Sequence, residues 1–406
     1  MLSVKETLDA ILTTIIVKES EIIPLRNSLN RIIAQDIFAN EEMPSFDNSS
    51  MDGFAIIADD SQGASPKTPK TLQIVAKILA GDVPNKKINR NEAAIIMTGA
   101  ALPEGANAVI PIEDTDGNWD IETNTVRIFK ALSQGDYIRK KGENIQKGEL
   151  ILERGSKIRA QEIGLLAGLG IYEVPVIKKP RIAILSTGDE LLNIDEPLSH
   201  GKIRDINSYL LEALCKQTGA EAYLIPKAAD QLDSIRDAFQ QALNLQPDLI
   251  ISSAGVSVGS ADYVQAILKE IGSVKSWRVN MRPGKPLLFG TIQQIPFLGL
   301  PGNPVSASVS FEVFVLPAIL ALQGAKNDQI ILKATLTEAI QSDGRETYAR
   351  VYLTLKNGDY FASITGIRSS SALISMVKAN GLLRIPAGLE QAQAGEKYDV
   401  ILLKNL

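Results

Sequence analysis

The feature that most constrains the fold is a regular alternation of apolar β-type runs and helical runs that begins near Lys179. In order, the runs are RIAIL, NSYLLEALCKQTG, AEAYLIP, DQLDSIRDAFQQAL, DLIISSAG and DYVQAILKEIG. Strands that alternate with helices in this way form a parallel sheet with helices on both faces. The sequence therefore predicts a doubly wound α/β unit over residues 179–325.

The segments on either side of this unit are typical of β structure. Residues 27–137 contain short β-type runs, several prolines and glycines, and little helical periodicity, which predicts a small β-rich domain. Residues 326–406 are again β-rich, and YARVYLTLKNGDYFASI predicts a hairpin that turns at Asn357 and Gly358. At 406 residues the chain is also longer than one hydrophobic core usually organises, which favours several domains.

Charge and cysteine content exclude several kinds of partner and site. The net charge of −5 provides no basic field that would attract nucleic acid or an anionic membrane. The single cysteine, Cys215, excludes an internal disulfide and is typical of a reducing compartment, so we expect a cytoplasmic protein. Ser3 and Glu6 have capping-box spacing and predict an amino-terminal helix. The apolar stretch FEVFVLPAILAL contains Glu312 and Pro317 and is interpreted as too short to span a membrane.

Three loops follow the predicted parallel strands, where open α/β sheets bind their ligands. They are STGDEL (186–191), SSAGVSVGSAD (252–262) and GLPGNPVSAS (299–308). Glycines before a helix leave backbone N–H groups exposed at the positive end of the helix dipole, an arrangement that binds phosphate. A plain turn between strand and helix is the alternative for each loop taken alone.

Acidic residues at the same sheet edge indicate a metal ion. Asp189 and Glu190 follow one strand and Asp262 ends a neighbouring loop, and Mg²⁺ is commonly held by one or two carboxylates together with phosphates of the ligand. Helix capping is the alternative for Asp189 or Glu190 taken singly. Asp230 is expected to be the N-cap of the helix that follows it, with Asp233 positioned to close a capping box.

A basic turn and the absence of several motifs narrow the chemistry further. NMRPGKPLLFG places Arg282 and Lys285 on a turn constrained by prolines, where they could neutralise an oxyanion, although a solvated basic turn is the alternative. His200 is the only histidine, and no G-x-S-x-G motif accompanies it, which argues against triad hydrolysis. Neither a P-loop nor a convincing G-x-G-x-x-G is found.

Six segments in order resemble one known family. The segments NSSMDGFA, MTGAALPEGANAVIPIEDT, STGDEL, GVSVGSADY, PGKPLLFG and LPGNPVSA resemble those of the molybdopterin molybdenumtransferases, the MoeA family that includes the gephyrin E domain. GRETYARV and SSSALISMVKANGL extend the resemblance into the carboxy-terminal region. The implied fold is α/β multidomain, with a doubly wound, MogA-like molybdopterin-binding domain and β-rich amino-terminal and carboxy-terminal domains.

The resemblance implies a domain division and an assembly. Residues 1–26, 44–53 and 138–178 would form a linker and dimerisation domain, 27–137 an inserted β-rich domain, 179–325 the molybdopterin and nucleotide domain, and 326–406 a β-barrel-like domain. The implied assembly is an elongated homodimer whose active cleft lies between two subunits. Molybdopterin adenylyltransferase and apo molybdoenzymes are the expected protein partners.

The implied reaction inserts molybdate into adenylylated molybdopterin, with Mg²⁺ and release of AMP. The residues implied as catalytic are Asp52, Thr98, Glu190, Asp230, Asp262, Arg282 and Lys285. Those implied in metal binding are Asp189, Glu190 and Asp262. Those implied in pterin and nucleotide binding are Ser186, Thr187, Gly188, Gly255, Ser257, Gly259, Pro301, Gly302, Asn303, Pro304, Arg345 and Ser371.

Departures from the family pattern leave two other functions open. Asn144 stands where the family usually has aspartate, Arg282 where lysine is common, and Ser260 and Ala261 where the loop is often acidic or aromatic. A catalytically weakened molybdopterin-binding or scaffold paralogue would account for Asn144. A molybdopterin adenylyltransferase is the other alternative, because its fold resembles the doubly wound domain.

Overall fold

The computed structural model describes residues 1–119, 124–253, 260–327, 329–366 and 369–403, apart from the side chains of residues 260–262 and 274–277. Helix α1 begins with the predicted capping box, in which the Ser3 side chain and Glu6 bond each other's backbone N–H groups. The described α-helices are α1 (Val4–Leu12), α2 (Ala160–Gly168), α3 (Asn207–Gln217), α4 (Leu232–Asn244), α5 (Ser260–Ile271), α6 (Pro304–Ser310), α7 (Leu316–Leu322) and α8 (Ile374–Lys378).

The amino-terminal part contains a nested set of strand pairs around a five-stranded sheet. Its strands are β1 (Ser20–Pro24), β2 (Ile37–Phe38), β3 (Asn48–Ser49), β4 (Gly53–Ile56), β5 (Lys70–Ile78), β6 (Glu92–Ile96), β7 (Ala108–Pro111), β8 (Thr125–Ile128), β9 (Ile138–Arg139), β10 (Leu150–Leu152) and β11 (Glu173–Ile177). β1 pairs with β11, β2 with β10 and β3 with β9, all antiparallel. The sheet enclosed by these pairs has the order β7-β4-β6-β5-β8.

The middle part contains the predicted doubly wound sheet. Its strands are β12 (Arg181–Ser186), β13 (Leu191–Leu192), β14 (Ile203–Arg204), β15 (Glu221–Leu224), β16 (Leu249–Ser253), β17 (Gly272–Arg278), β18 (Met281–Arg282), β19 (Pro286–Ile292) and β20 (Ile295–Leu300). The order is β15-β12-β16-β20-β19-β17, and the first four strands are parallel. The predicted parallel strands are confirmed, whereas β19, for which the sequence predicted no direction, pairs antiparallel with both β20 and β17.

Both faces of this sheet are buried, as the sequence predicts. Ile182 and Ile184 of β12 belong to the cluster that contains Leu211 of α3. Ala183 of the same strand belongs to the cluster on the opposite face, which contains Phe239 of α4. Because neighbouring side chains on a strand point to opposite faces, a continuous apolar run is what a sheet covered on both sides requires.

The carboxy-terminal part is a small barrel. Its strands are β21 (Ile331–Leu336), β22 (Ile340–Gln341), β23 (Glu346–Lys356), β24 (Asp359–Ile364), β25 (Gly381–Ile385), β26 (Gln391–Ala392) and β27 (Lys397–Leu402). The pairings β23–β24–β21–β27–β25 close into a ring because β25 also pairs with β23. The predicted hairpin at Asn357 and Gly358 is confirmed as the β23–β24 connection.

One long apolar helix corrects an expectation from the sequence. Residues Pro304–Leu322 form a continuous helix of 19 residues with a mean hydropathy of 2.0, so this segment is long and apolar enough to cross a membrane. The length argument made from the sequence is therefore wrong. However, 72% of the segment is buried inside the protein, where Val309, Phe314 and Ile319 join the cluster beneath the sheet. Burial of this kind is typical of a core helix.

Candidate functional site

Buried polar side chains without partners mark the carboxyl edge of the doubly wound sheet. Ser186 ends β12 and Thr187 follows it, with exposed fractions of 3% and 2%, and neither hydroxyl oxygen has a hydrogen-bond partner in the described part of the chain. The Oδ1 atom of Asn207, the first residue of α3, is also buried and has no hydrogen-bond partner among the described residues. Unsatisfied buried polar groups are costly, so their concentration at one edge indicates a ligand.

Gly188 follows these residues and makes room for the carboxylate of Glu190. A Cβ atom at position 188 would lie 2.6 Å from Oε2 of Glu190, and the φ of 145° is one that residues with side chains rarely adopt. The backbone φ therefore favours glycine here, and a side chain at this position would also displace the Glu190 carboxylate. This local geometry folds the Glu190 side chain back against the STGDEL turn.

Asp189 and Asp230 are brought together across two strands. The backbone N–H of Asp230 donates to Oδ1 of Asp189 over 3.1 Å, while Oδ1 of Asp230 is buried and has no partner among the described residues. Burial raises the pKa of Asp230, and the nearby charges of Asp189 and Glu190 raise it further. The predicted N-cap role of Asp230 is wrong, because α4 is preceded by Gln231 as its N-cap and no side chain caps it. The strand–helix connection is one residue longer than the capping pattern assumed.

The described acidic residues at this edge do not by themselves complete a metal site. Within the described part of the chain, no group of three histidine, cysteine, aspartate or glutamate side chains is arranged to hold a metal ion. The side chain of the predicted ligand Asp262 lies outside the described part of the structure. The predicted phosphate-binding residues Gly255, Ser257 and Gly259 also lie outside it. The orphaned Oδ1 of Asp230 nevertheless fits a hard cation, which prefers carboxylate oxygen.

The LPGNP turn joins the sheet edge to the carboxy-terminal barrel. Asn207 donates through Nδ2 to the carbonyl oxygen of Gly302 over 2.7 Å. On the other side, the backbone N–H of Val305 donates to the carbonyl oxygen of Ser370 over 3.1 Å. One of the helix N-terminal donors expected to face a ligand is therefore used by the protein itself. Pro304 begins α6 with Asn303 as its N-cap, and Pro301 is buried.

A basic cavity of 430 Å³ lies between this turn and the barrel. It brings together three predicted residues, Arg282, Lys285 and Arg345, which come from sequence segments about 60 residues apart. Polar backbone and hydroxyl groups complete its walls. The lining residues are Arg282, Pro283, Gly284, Lys285, Pro286, Ser306, Ile340, Gln341, Arg345, Thr347, Tyr348, Ala349, Arg350, Ile364, Thr365, Gly366, Ser369, Ser370 and Ser375.

Positive charge exceeds negative charge around this cavity. Asp343 accepts hydrogen bonds from Arg345, which lower its pKa, and lies 3.7 Å from Nη1 of Arg282. Lys285 is exposed and forms no ion pair with any described residue. Four cationic side chains including Arg350 thus line a cavity beside one carboxylate. An oxyanion with several acceptor oxygens fits this charge distribution.

Arg350 was not predicted from the sequence and is the most buried of the four cations. Only 8% of it is exposed, and it donates through Nε to Oγ of Ser375 and through Nη2 to the carbonyl oxygen of Ser369. Its signal in the sequence is an arginine within the apolar strand YARVYLTL, where a buried charge calls for an explanation. The predicted residue Ser371 lies next to the cavity, with its Oγ 2.8 Å from Oγ of Ser369.

Asp52 and Thr98 form a separate polar pair at the end of the five-stranded sheet. The backbone N–H and the Oγ1 hydroxyl of Thr98 each donate to Oδ1 of Asp52 over 2.7 Å, and these bonds lower the pKa of Asp52. The pair is exposed and forms no described contact with the Asp189 edge of the same chain. The fold of one chain therefore leaves Asp52 and Thr98 apart from the other predicted catalytic residues.

Three family models match the chain in succession. They are the MoeA N-terminal region (domain I and II) over residues 2–170, a probable molybdopterin binding domain over 183–321, and the MoeA C-terminal region (domain IV) over 333–403. The molybdopterin molybdenumtransferase of Bacillus subtilis is 35% identical over 390 residues, covering 95% of this chain and 90% of the relative. That of Nostoc sp. is 38% identical over 395 residues, covering 95% and 89%.

Solved structures show the same overall fold. The molybdopterin biosynthesis MoeA protein of Pyrococcus horikoshii superposes with a TM-score of 0.84 at 31% identity, covering 100% of both chains. A molybdenum cofactor biosynthesis protein of Pyrococcus furiosus superposes with a TM-score of 0.61 at 21% identity, covering 99% of each chain. The multidomain architecture predicted from the sequence is thereby confirmed.

Proposed function

We propose, from the premise that this chain belongs to the MoeA family of molybdopterin molybdenumtransferases, that it inserts molybdenum into molybdopterin during synthesis of the molybdenum cofactor. One observation carries this proposal: the LPGNP turn has an acidic, hydroxyl-lined edge on one side and a basic cavity on the other. The two sides suit the two substrates, a phosphorylated pterin and molybdate.

The pterin substrate is proposed to be adenylylated molybdopterin, with AMP as the leaving group. Ser186 and Thr187 offer buried hydroxyls, and Asn207 offers an amide oxygen, that have no hydrogen-bond partner among the described residues. Such groups hold a polar ligand in one orientation, because leaving any of them unpaired costs about 1–3 kcal/mol. Residues Gly188, Gly302 and Asn303 would border the same ligand, together with the loop of Gly255, Ser257 and Gly259.

Molybdate is proposed to enter the basic cavity. Arg282, Lys285 and Arg345 present guanidinium and ammonium groups there, and Ser371 lies beside them. Charge-assisted hydrogen bonds to an oxyanion are about twice as strong as neutral ones. Arg350 is held in place by Ser375 and the Ser369 carbonyl, so its charge is fixed before the anion arrives.

Mg²⁺ is proposed to be held by Asp189, Glu190 and Asp262, with Asp230 beside them. When bound, it would polarise the phosphates of the nucleotide and neutralise charge that develops on them. The charges of Asp189 and Glu190 raise the pKa of Asp230, and a cation at this edge would relieve that repulsion. The buried Oδ1 of Asp230, which has no partner among the described residues, is an acceptor that such a cation could use.

We also propose a cytoplasmic homodimer with an active cleft between subunits. Asp52 and Thr98 are exposed and preorganised, yet they lie apart from the sheet edge of their own chain. A second copy would bring this pair to that edge, as the family resemblance implies. Molybdopterin adenylyltransferase and apo molybdoenzymes would then supply the substrate and accept the product.

The proposal is tested by incubating the purified protein with adenylylated molybdopterin, Mg²⁺ and molybdate. We expect molybdate to trigger AMP release and reconstitution of an apo molybdoenzyme, and Glu190→Ala to abolish both. Asp195→Ala, which removes a nearby exposed carboxylate that forms no hydrogen bond or ion pair with the described residues, is the matched control.

Other outcomes would support the alternatives. Release of pyrophosphate from ATP in the presence of molybdopterin, without any need for molybdate, would indicate an adenylyltransferase. Binding of the substrate without AMP release would indicate a weakened paralogue, and Asn144→Asp should then raise turnover.

A further inference from the structure

Two lysine side chains hold the main chain of the STGDEL turn. Nζ of Lys202 donates to the carbonyl oxygen of Asp189 over 2.6 Å. Nζ of Lys227 donates to the carbonyl oxygen of Leu191 over 2.5 Å. Hydrogen bonds from a charged donor are stronger than those between neutral groups. The peptide groups on both sides of Glu190 are therefore each held by a cation.

Backbone hydrogen bonds complete this arrangement from the same two segments. The backbone N–H of Ile203, which follows the first lysine, donates to the carbonyl oxygen of Glu190 over 2.8 Å. The backbone N–H of Ala228, which follows the second lysine, donates to the carbonyl oxygen of Ser186 over 3.1 Å. The turn thus lies between segments 202–203 and 227–228, and three successive carbonyl groups at its end are bound from outside it.

Neither lysine is paired with a carboxylate, although two carboxylates belong to the same turn. Lys202 and Lys227 are exposed, and in the described part of the chain they form no ion pair. The carboxylate of Glu190 accepts no hydrogen bond from any described residue. That of Asp189 accepts one, from the backbone N–H of Asp230. The cations therefore bind the main chain and leave the carboxylates of the turn available to a ligand.

We infer that Lys202 and Lys227 are positioning residues, which fix the main chain of the turn so that Asp189 and Glu190 present their carboxylates to a divalent cation. This role rests on the proposed function, since the cation belongs to it. Mg²⁺ requires nearly ideal ligand geometry, so its ligands have to be held within about 0.5 Å by the groups behind them. The lysines act through the backbone and need no contact with the cation.

Hydrogen–deuterium exchange of the full-length protein without ligand tests whether the lysines hold the turn. Lys202→Met and Lys227→Met should each speed amide exchange in the peptide that spans residues 186–193 about fivefold, the factor expected from one lost hydrogen bond. Lys227→Arg keeps a cationic donor and should exchange like the parent. Lys179→Met is the matched control, because Lys179 is exposed and forms no hydrogen bond or ion pair with the described residues.

Binding of Mn²⁺, which electron paramagnetic resonance detects, tests the consequence for a cation. With AMP present to supply a phosphate, Mn²⁺ should bind about fivefold more weakly to both methionine variants than to the parent, Lys227→Arg or Lys179→Met. Parental exchange rates in both methionine variants would overturn the inference. Faster exchange with unchanged Mn²⁺ affinity would show a merely structural role and also overturn it, as would a parent that binds no Mn²⁺.

The two measurements are independent of turnover. A parent protein that releases no AMP on addition of molybdate would count against the proposed function. The exchange rates and Mn²⁺ affinities would still decide whether the lysines position the turn.

Discussion

The substitution Glu312→Gln should make the protein more stable at alkaline pH relative to the parent. The carboxyl group belongs to the π-helical turn Phe311–Val315 between α6 and α7, and burial raises its pKa to about 7 from the usual value of 4.5. Between these two pH values the folded protein binds a proton that the unfolded chain has lost. Stability therefore falls as pH rises through this window, and the penalty is complete above pH 7.

The size of this effect follows from the two pKa values. A difference of about 2.5 between the two pKa values corresponds to a penalty of roughly 3 kcal/mol once the carboxyl group is fully ionised, since each unit of pKa is worth about 1.4 kcal/mol. At pH 5 only about 1 kcal/mol of this penalty is present. The stability of the Glu312→Gln variant relative to the parent should therefore increase by about 2.5 kcal/mol between pH 5 and pH 8.

Urea denaturation of parent and variant at the two pH values measures this difference directly. Other titrating groups affect both proteins equally and cancel in the comparison. Glu338→Gln makes the same chemical change at an exposed position and serves as the control. A relative stability that is the same at pH 5 and pH 8 would refute the reasoning, because the carboxyl group would then not be held protonated by burial.

Three further predictions concern single residues. Gly188→Ala should lower kcat/KM for insertion at least tenfold, because its Cβ would meet Oε2 of Glu190 at 2.6 Å; steady-state kinetics would show this, and wild-type rates would contradict it. Asp230→Asn should stabilise the metal-free protein increasingly as pH rises through the carboxylate range, since Asp230 has a raised pKa; urea midpoints measured in EDTA test the sign. Cys215 should resist thiol reagents at pH 8 until the protein unfolds, because burial raises its pKa to about 12; rapid labelling of the native protein would disprove this.

Much of the fold was predictable because its signals are local. The continuous apolar runs of β12 and β16 indicate strands buried on both faces, and Asn357 with Gly358 specifies a hairpin. The antiparallel edge of the sheet was missed because β19 and β20 are as apolar as parallel strands. Strand direction is set by the length of the connections, here a two-residue turn, and not by composition.

The candidate site was predictable in part. Arg282, Lys285 and Arg345 do meet in one cavity, yet Arg350 was missed because it is held by Ser369 and Ser375, which lie about 20 residues further along the chain. The free polar atoms of Asn207 and Asp230 could not be foreseen, since hydrogen-bond satisfaction is a property of the folded chain. The roles proposed for Asp52 and Thr98 require a second subunit, and the fold of one chain does not test them. The domain limits stay a prediction.

The central claim is that the basic cavity between the LPGNP turn and the barrel receives molybdate. Isothermal titration of molybdate into the protein loaded with molybdopterin tests it most directly, with the parent compared to Lys285→Met. We predict saturable binding to the parent that weakens with added salt and falls about tenfold or more in the variant. Binding of equal strength in both proteins would contradict the account, because molybdate would then be held elsewhere.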